Sequence, residues 1–206
     1  MILEKINLEK TDTNYYKATQ KPQLVELDAH YYLSISGQSA PDAPRFMEAI
    51  ETLYAVAYGI KFLAKGEDLD FTMPKMEGYW WIDGGLDNQA AFMQTPPSEW
   101  HWKIVIRMPD FVEESHYFRA MAQVRSKKAP GNLENLRFEL NNEGRCAQIL
   151  HLGSYENETP TIERLHDFIQ AEGLRITGYH HEIYLSDPRR TAPEKLRTIL
   201  RYQVGK

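Results

Sequence analysis

Glu182 and Tyr184 are the side chains best placed to do chemistry in this chain. They lie in the run Gly178-Tyr179-His180-His181-Glu182-Ile183-Tyr184-Leu185-Ser186-Asp187-Pro188. The run reads as a strand ended by a turn, and strand alternation puts His180, Glu182 and Tyr184 on one face. Tyr179, Ile183 and Leu185 share the other face with His181, and that set has the makeup of a core face. A carboxylate beside a phenol can serve two ends. Walled in by aromatic rings, it binds a flat, often cationic organic molecule. Stripped of water, it is also a better base, because desolvation raises a carboxyl pKa. Tyr184 can then donate a hydrogen bond to an oxygen that gains negative charge. The plain alternative is a surface glutamate paired with a cation such as Arg189, and a tyrosine that simply suits a strand.

The walls are supplied by rings in other segments. Four tryptophans fall in two short clusters, Trp80 with Trp81 and Trp100 with Trp102. Trp80 and Trp81 alternate, so one of them at most faces a given cavity. Trp100 and Trp102 share a face with Ile104 and Ile106 and fit either core or cleft. Tyr155, just after Gly153, is placed to reach the same cleft from the second half of the chain. The candidate ligand-binding set is therefore Glu182, Tyr184, His180, Trp100, Trp102, Trp80 and Tyr155, and the catalytic pair, for an enzyme, is Glu182 and Tyr184.

Other chemistries lack their residues. No His/Asp/Glu set shows a recognisable metal spacing, so no metal site and no cofactor are expected. The single cysteine, Cys146, rules out an intramolecular disulfide and a cysteine zinc site, and reads as a small buried hydrophobe. There is no Gly-x-Ser-x-Gly elbow and no phosphate loop, and Ser186 is explained by its Ser-Asp-Pro turn. The formal charge is −5, with no Lys/Arg block, which argues against a nucleic-acid partner. The N-terminal residues are charged and no apolar run reaches membrane-spanning length, so a cytoplasmic protein with no membrane partner is expected. Oligomeric state stays open.

The elements that must position these residues follow from periodicity. The 206 residues are enough for one sizeable core. Residues 1–22 are polar and form an arm. Val25, Leu27, Ala29, Tyr31, Leu33 and Ile35 alternate and predict a strand, ended by Gly37 and the Ser39/Pro41/Pro44 cluster. Phe46, Ile50, Leu53, Ala57, Ile60 and Ala64 form a helical stripe stopped by Gly66. Strands follow around Gly78–Ile82 and Trp100–Met108. Asp110 with Glu113 predicts the N-terminus of another helix. Leu136–Leu140 and Arg145–Leu152 read as strands around a turn at Asn141-Asn142-Glu143-Gly144. Thr159-Pro160 opens a helix bearing Ile162, Leu165, Phe168 and Ile169. Strands at Tyr179–Asp187 and Leu196–Val204 close the chain.

The order strand–helix–strand–strand thus occurs twice, over residues 24–108 and 145–204. Each unit buries one sheet face under its helix. Two such units pair about a pseudo-twofold axis, leaving the other faces as a concave cleft. The expected fold is α+β in a single domain spanning 1–206, with halves at about 24–128 and 136–204.

Three blocks carry a resemblance to a known family. They are Glu99-Trp100-His101-Trp102-Lys103 with Ile106-Arg107-Met108-Pro109-Asp110-Phe111-Val112, His151-Leu152-Gly153-Ser154-Tyr155 before Thr159-Pro160-Thr161-Ile162, and His181 to Arg190 with Pro193-Glu194-Lys195-Leu196 behind it. Together, over residues 20–206, they resemble the GyrI-like small-molecule-binding domains, in particular the stand-alone bacterial members. The resemblance implies two strand–helix–strand–strand units and a central cleft for hydrophobic, often cationic compounds. In related effector domains of multidrug-responsive transcription activators a buried glutamate meets the ligand cation, and Glu182 matches that position. Some stand-alone members hydrolyse cyclopropanoid genotoxins with the glutamate and neighbouring aromatic residues. Other GyrI-type proteins modulate DNA gyrase by direct contact. No helix-turn-helix pattern is present at either end, so a direct activator role is not expected. The readings left open are a xenobiotic-binding protein, a hydrolase with Glu182 as general base, and a protein-interaction modulator.

Overall fold

In the computed structural model, which describes residues 5–127 and 130–206, the strands in chain order are β1 (Gln23–Gln38), β2 (Met76–Trp81), β3 (His101–Arg107), β4 (Arg137–Leu152), β5 (Arg175–Ile176), β6 (His180–Tyr184) and β7 (Arg197–Gly205). The helices are α1 (Leu8–Thr11), α2 (Thr13–Tyr16), α3 (Pro44–Lys65), α4 (Glu114–Lys127) and α5 (Thr159–Ala171). The sheet is antiparallel in the order β4-β1-β3-β2-β6-β7, with β5 at the end of β7, and a further β4–β7 pairing closes it into a barrel.

The two expected units are present. β1-α3-β2-β3 and β4-α5-β6-β7 each arrange their strands as first, last, middle: β1-β3-β2 and β4-β7-β6. The units join like to like, β1 on β4 and β2 on β6, as a pseudo-twofold relation requires. α3 covers the outer face of the first unit, burying Leu53, Val56, Ala57 and Ile60 against Ile35, Ile104 and Ile106. α5 does the same for the second with Leu165 and Ile169 against Ile149 and Leu200.

Three local readings change. The Asn141–Gly144 segment is not a turn but the middle of the 16-residue β4, because β1 pairs it on both sides, Leu27 with Gly144 and Ala29 with Asn142. Tertiary pairing outweighs turn chemistry here, and only Gly144 keeps a left-handed φ of 57°. α4 begins at Glu114 rather than after Asp110. The chain turns at Pro109–Val112, and His116 Nδ1 accepts the Glu113 N–H. In β1 the predicted alternation is buried at its two ends on different clusters, Val25 and Leu27 inside the barrel, Leu33 and Ile35 beneath α3, while Ala29 and Tyr31 between them are exposed.

The inner faces, expected as a concave cleft, are wrapped round an interior that side chains fill in part. The N-terminal arm enters it: Tyr15 and Tyr16 of α2 are almost fully buried with Val25, Leu27, Cys146, Ile183 and Ile199. A polar network runs through the same space. The Tyr15 hydroxyl donates to Glu77 Oε2 at 2.5 Å, and His181 reaches Glu77 at 2.9 Å through Nε2 and Glu143 at 2.8 Å through Nδ1. Arg201 donates to Glu143, Gln148 and the Tyr15 carbonyl. Burial pushes the Glu143 carboxyl up, but the charges and hydrogen bonds of His181 and Arg201 more than offset this and hold it at about 2. Burial pulls His181 down, yet Glu143 and Glu77 win and raise it, so an imidazolium between two carboxylates is the stable form.

Candidate functional site

The strand register decides which residues meet. Gly78 on β2 is opposite Ile104 on β3 and Glu182 on β6, and Glu182 is opposite Leu200 on β7. Directly opposed residues share a face. Glu182 therefore stands on the outer, helix-bearing face, in the gap between the α3 and α5 sides of the barrel. His180 and Tyr184 share that face, as alternation predicts. His181 and Ile183 point into the barrel.

Glu182 is held, not free. Its Oε1 lies 3.0 Å from His180 Nε2, and His180 Nδ1 lies 2.8 Å from the Tyr202 hydroxyl. An ionised carboxylate only accepts, so His180 Nε2 donates to Glu182, and the ring bridges Glu182 to Tyr202. The side chain of Glu182 is 13% exposed. The plain alternative, a pair with Arg189, is not formed: Arg189 lies on Asp187, bonded through Nε and Nη2 at 3.0 Å each.

Tyr184 and Trp80 make the floor beside it. Trp80 Nε1 donates to the Tyr184 hydroxyl at 3.0 Å. Both side chains fold over Gly78, where an added Cβ would stand 2.6 Å from the Tyr184 hydroxyl and 2.9 Å from Trp80 Nε1. Glycine is thus required for this contact. Burial, and then the charge of Glu182, push the Tyr184 phenol well above its ordinary value, so it stays protonated and acts as a donor.

The remaining predicted residues separate. Tyr155 stands edge-on to Tyr184, centroids 5.8 Å apart, and is 39% exposed. Burial and the charge of Glu182 push its phenol up to about 12. Trp100 packs edge-on to Trp80 at 6.1 Å and stacks on Phe92, extending the aromatic surface. Trp102 does not join. It is 1% exposed, packed on Phe46 and over Gly37, with its Nε1 donating to Ser39, which makes it a core residue.

Three residues escaped the sequence reading: Glu158, Tyr202 and Gly78. Glu158 immediately precedes α5. It is 5% exposed, and its Oε1 has no hydrogen-bond partner. One potential ligand atom each from Glu158, His180 and Glu182 lie within 4.8 Å of one another. Burial, and then Glu182, push the Glu158 carboxyl up to about 10. The segment reads as a helix start, and nothing in its spacing links position 158 to position 182. Spacing along the chain does not reveal this cluster, because its residues come from two distant segments. The residues are of a kind that can hold a cation or share a proton.

A separate cavity of about 350 Å³ opens on the inner side, lined in part by Tyr79, Trp81, Lys103, Asn141 and Tyr179. None of the predicted site residues lines it. The convergent titratable groups, rather than volume alone, make the Glu158–His180–Glu182 cluster the candidate site.

The GyrI-like small molecule binding domain model matches residues 102–204. A crystal structure of an uncharacterized conserved protein from Listeria innocua is 34% identical, covering 98% of this chain and 100% of that one, with a TM-score of 0.86. The chain belongs to the GyrI-like family. A hydrolase from Listeria innocua is also 34% identical over 98% of this chain and 100% of that one, at a TM-score of 0.84. The C-terminal domain of EcmrR shares the fold at 14% identity and a TM-score of 0.58, covering 90% of this chain and 98% of that one. No curated protein matches the chain. Among the described residues of this GyrI-like chain, no helix is long and apolar enough to cross a membrane.

Proposed function

We propose that this GyrI-like protein binds planar, hydrophobic small molecules on the Trp80–Tyr184–Tyr155 surface and hydrolyses them, opening a strained three-membered ring with Glu182 as general base. The observation that carries the reading is the oriented carboxylate. His180, itself fixed by Tyr202, aims Glu182 beside a protonated Tyr184 hydroxyl. A base that removes a proton from water and a donor for the oxygen that gains charge are what ring opening by water needs. The strained ring supplies much of the driving force. The Listeria hydrolase, similar along its whole length, supports an enzyme over a pure binding protein. Aromatic floor and carboxylate together also favour cationic ligands, which is the second use of the same site.

The test is mass spectrometry of a cyclopropanoid compound incubated with wild type and with Glu182→Gln. The expected result is gain of one water by wild type, reduced at least about 100-fold in the variant. No conversion, with tryptophan quenching still reporting binding, would leave a ligand-sequestering protein instead.

A further inference from the structure

We infer that Glu158 is the proton donor of this site: the two carboxyl groups share one proton, Glu158 holding it and Glu182 carrying the charge. The inference rests on the hydrolase reading and supplies the acid which that reading lacks.

The geometry is that of two buried carboxyl groups sharing one small space, within 4.8 Å of each other and of His180. Like charges so close and so poorly solvated cannot both ionise cheaply. Their partners decide which one does. Glu182 accepts from His180 Nε2 and stands beside the Tyr184 hydroxyl. Glu158 forms no ion pair among the described residues, and its Oε1 is orphaned. The titratable groups around the pair are His180 and Tyr184 on β6, Tyr202 on β7, Tyr155 before α5, and His166 on α5, whose ring packs 5.0 Å from Tyr202. The phenols are all pushed up by burial first, and burial pulls His166 down. Burial thus favours the neutral forms of the phenols and of His166, and among the described residues no cation pairs with Glu158.

Two carboxyl groups with such different partners, one bonded to His180 and the other orphaned, divide the acid and base roles. Water attacks a ring carbon and Glu182 takes its proton. In a substrate whose three-membered ring is conjugated to a carbonyl, the carbon–carbon bond breaks and its electron pair moves to that carbonyl oxygen. That oxygen receives the proton of Glu158. Substrate has gained one water, Glu182 is now protonated and Glu158 ionised. Loss of that proton from Glu182 to solvent and uptake of one by Glu158 restores the pair, so no other reactant is consumed.

Two measurements test this independently. The first needs no substrate. Infrared difference spectra at pH 8 are expected to show a carboxylic-acid carbonyl band in wild type that Glu158→Gln removes; a spectrum unchanged by that substitution overturns the assignment. The second is kinetic. Glu158→Gln is expected to lower kcat about 100-fold or more while ligand quenching of tryptophan is unchanged, with Glu158→Asp recovering part of the rate. Wild-type turnover in Glu158→Gln sinks the donor role and leaves the hydrolase reading intact. Absence of turnover in wild type sinks the hydrolase reading and the donor role together, and the infrared band still decides where the proton resides. A divalent ion retained after exhaustive dialysis, and lost in Glu158→Gln, would put a cation in place of the proton and overturn the inference.

Discussion

At the scale of single residues, the site is held together by groups that stability alone would not choose. Glu158 binds its proton more tightly folded than unfolded, its carboxyl rising from 4.5 to about 10. Its contribution is therefore complete below pH about 4.5 and is lost progressively as the pH rises towards 10. Glu158→Gln cannot ionise and escapes that loss. The variant is expected to melt at the wild-type temperature near pH 4 and several degrees higher at pH 8, since the relief is on the order of a few kcal/mol. A melting temperature at pH 8 equal to or below wild type would contradict it. Gly78 is the opposite case. Gly78→Ala puts a Cβ into the Trp80–Tyr184 contact, and the expected outcome is a loss of about 10-fold in ligand affinity by tryptophan quenching, equivalent to one hydrogen bond and its packing. Unchanged affinity would mean the floor can re-form around the methyl.

At the scale of elements, the arm and the two long strands do work that their local sequence only partly announces. Residues 1–22 read as a polar arm, and only Tyr15 and Tyr16 hinted at more. In the fold these two tyrosines plug the barrel, and the Tyr15 hydroxyl sits between Glu77 and Tyr32. Tyr15→Phe removes one of the two donors to Glu77 Oε2, on a carboxylate whose Oε1 already has no partner. Leaving a buried polar group short of a partner costs about 1–3 kcal/mol. Denaturant unfolding should show that loss with an unchanged m-value; a neutral result would mean that water reaches Glu77 once the hydroxyl is gone. β4 teaches a related lesson. Its Asn-Asn-Glu-Gly centre has turn composition, yet it brings Glu143 to His181 and Arg201 because β1 holds it extended.

At the scale of the whole molecule, closing the barrel separates two groups of buried ionisable side chains. Inside are Glu77, His181, Glu143 and Arg201; outside, between the helices, are Glu158 and Glu182. Glu143 has a folded pKa of about 2, below its ordinary 4.5. Its stabilisation is present above pH about 4.5 and lost as the pH falls towards 2, on the order of 3 kcal/mol. His181 is raised, so its share is present below the ordinary histidine value of 6.5 and lost as the pH climbs through its folded value. With Glu158 also losing its share upward, thermal stability is expected to peak in the mildly acidic range. A scan of melting temperature from pH 2 to pH 9 checks this, and a maximum above pH 8 would refute it. Glu143→Gln should flatten the acid limb, lowering the melting temperature near neutral pH and approaching wild type as the pH falls towards 2.

The sequence by itself determined the two strand–helix–strand–strand units, the helical stripes of α3 and α5 and the shared face of His180, Glu182 and Tyr184. All of these are local periodicities, readable because side-chain direction repeats every 3.6 or 2 residues. It also supplied the family blocks that single out Glu182. What only the tertiary structure decided was everything that depends on register between distant strands. Trp102 and Trp80 are opposite one another in the β2–β3 ladder and both are buried in one core cluster, yet only Trp80 also reaches Tyr184, because Gly37 draws the Trp102 ring over itself while Gly78 leaves room for the Trp80–Tyr184 contact. Glu158 meets Glu182 only because α5 packs against the β4–β7 side of the barrel. Contacts of that kind are set by how sheets close and helices dock, and no spacing along the chain encodes them.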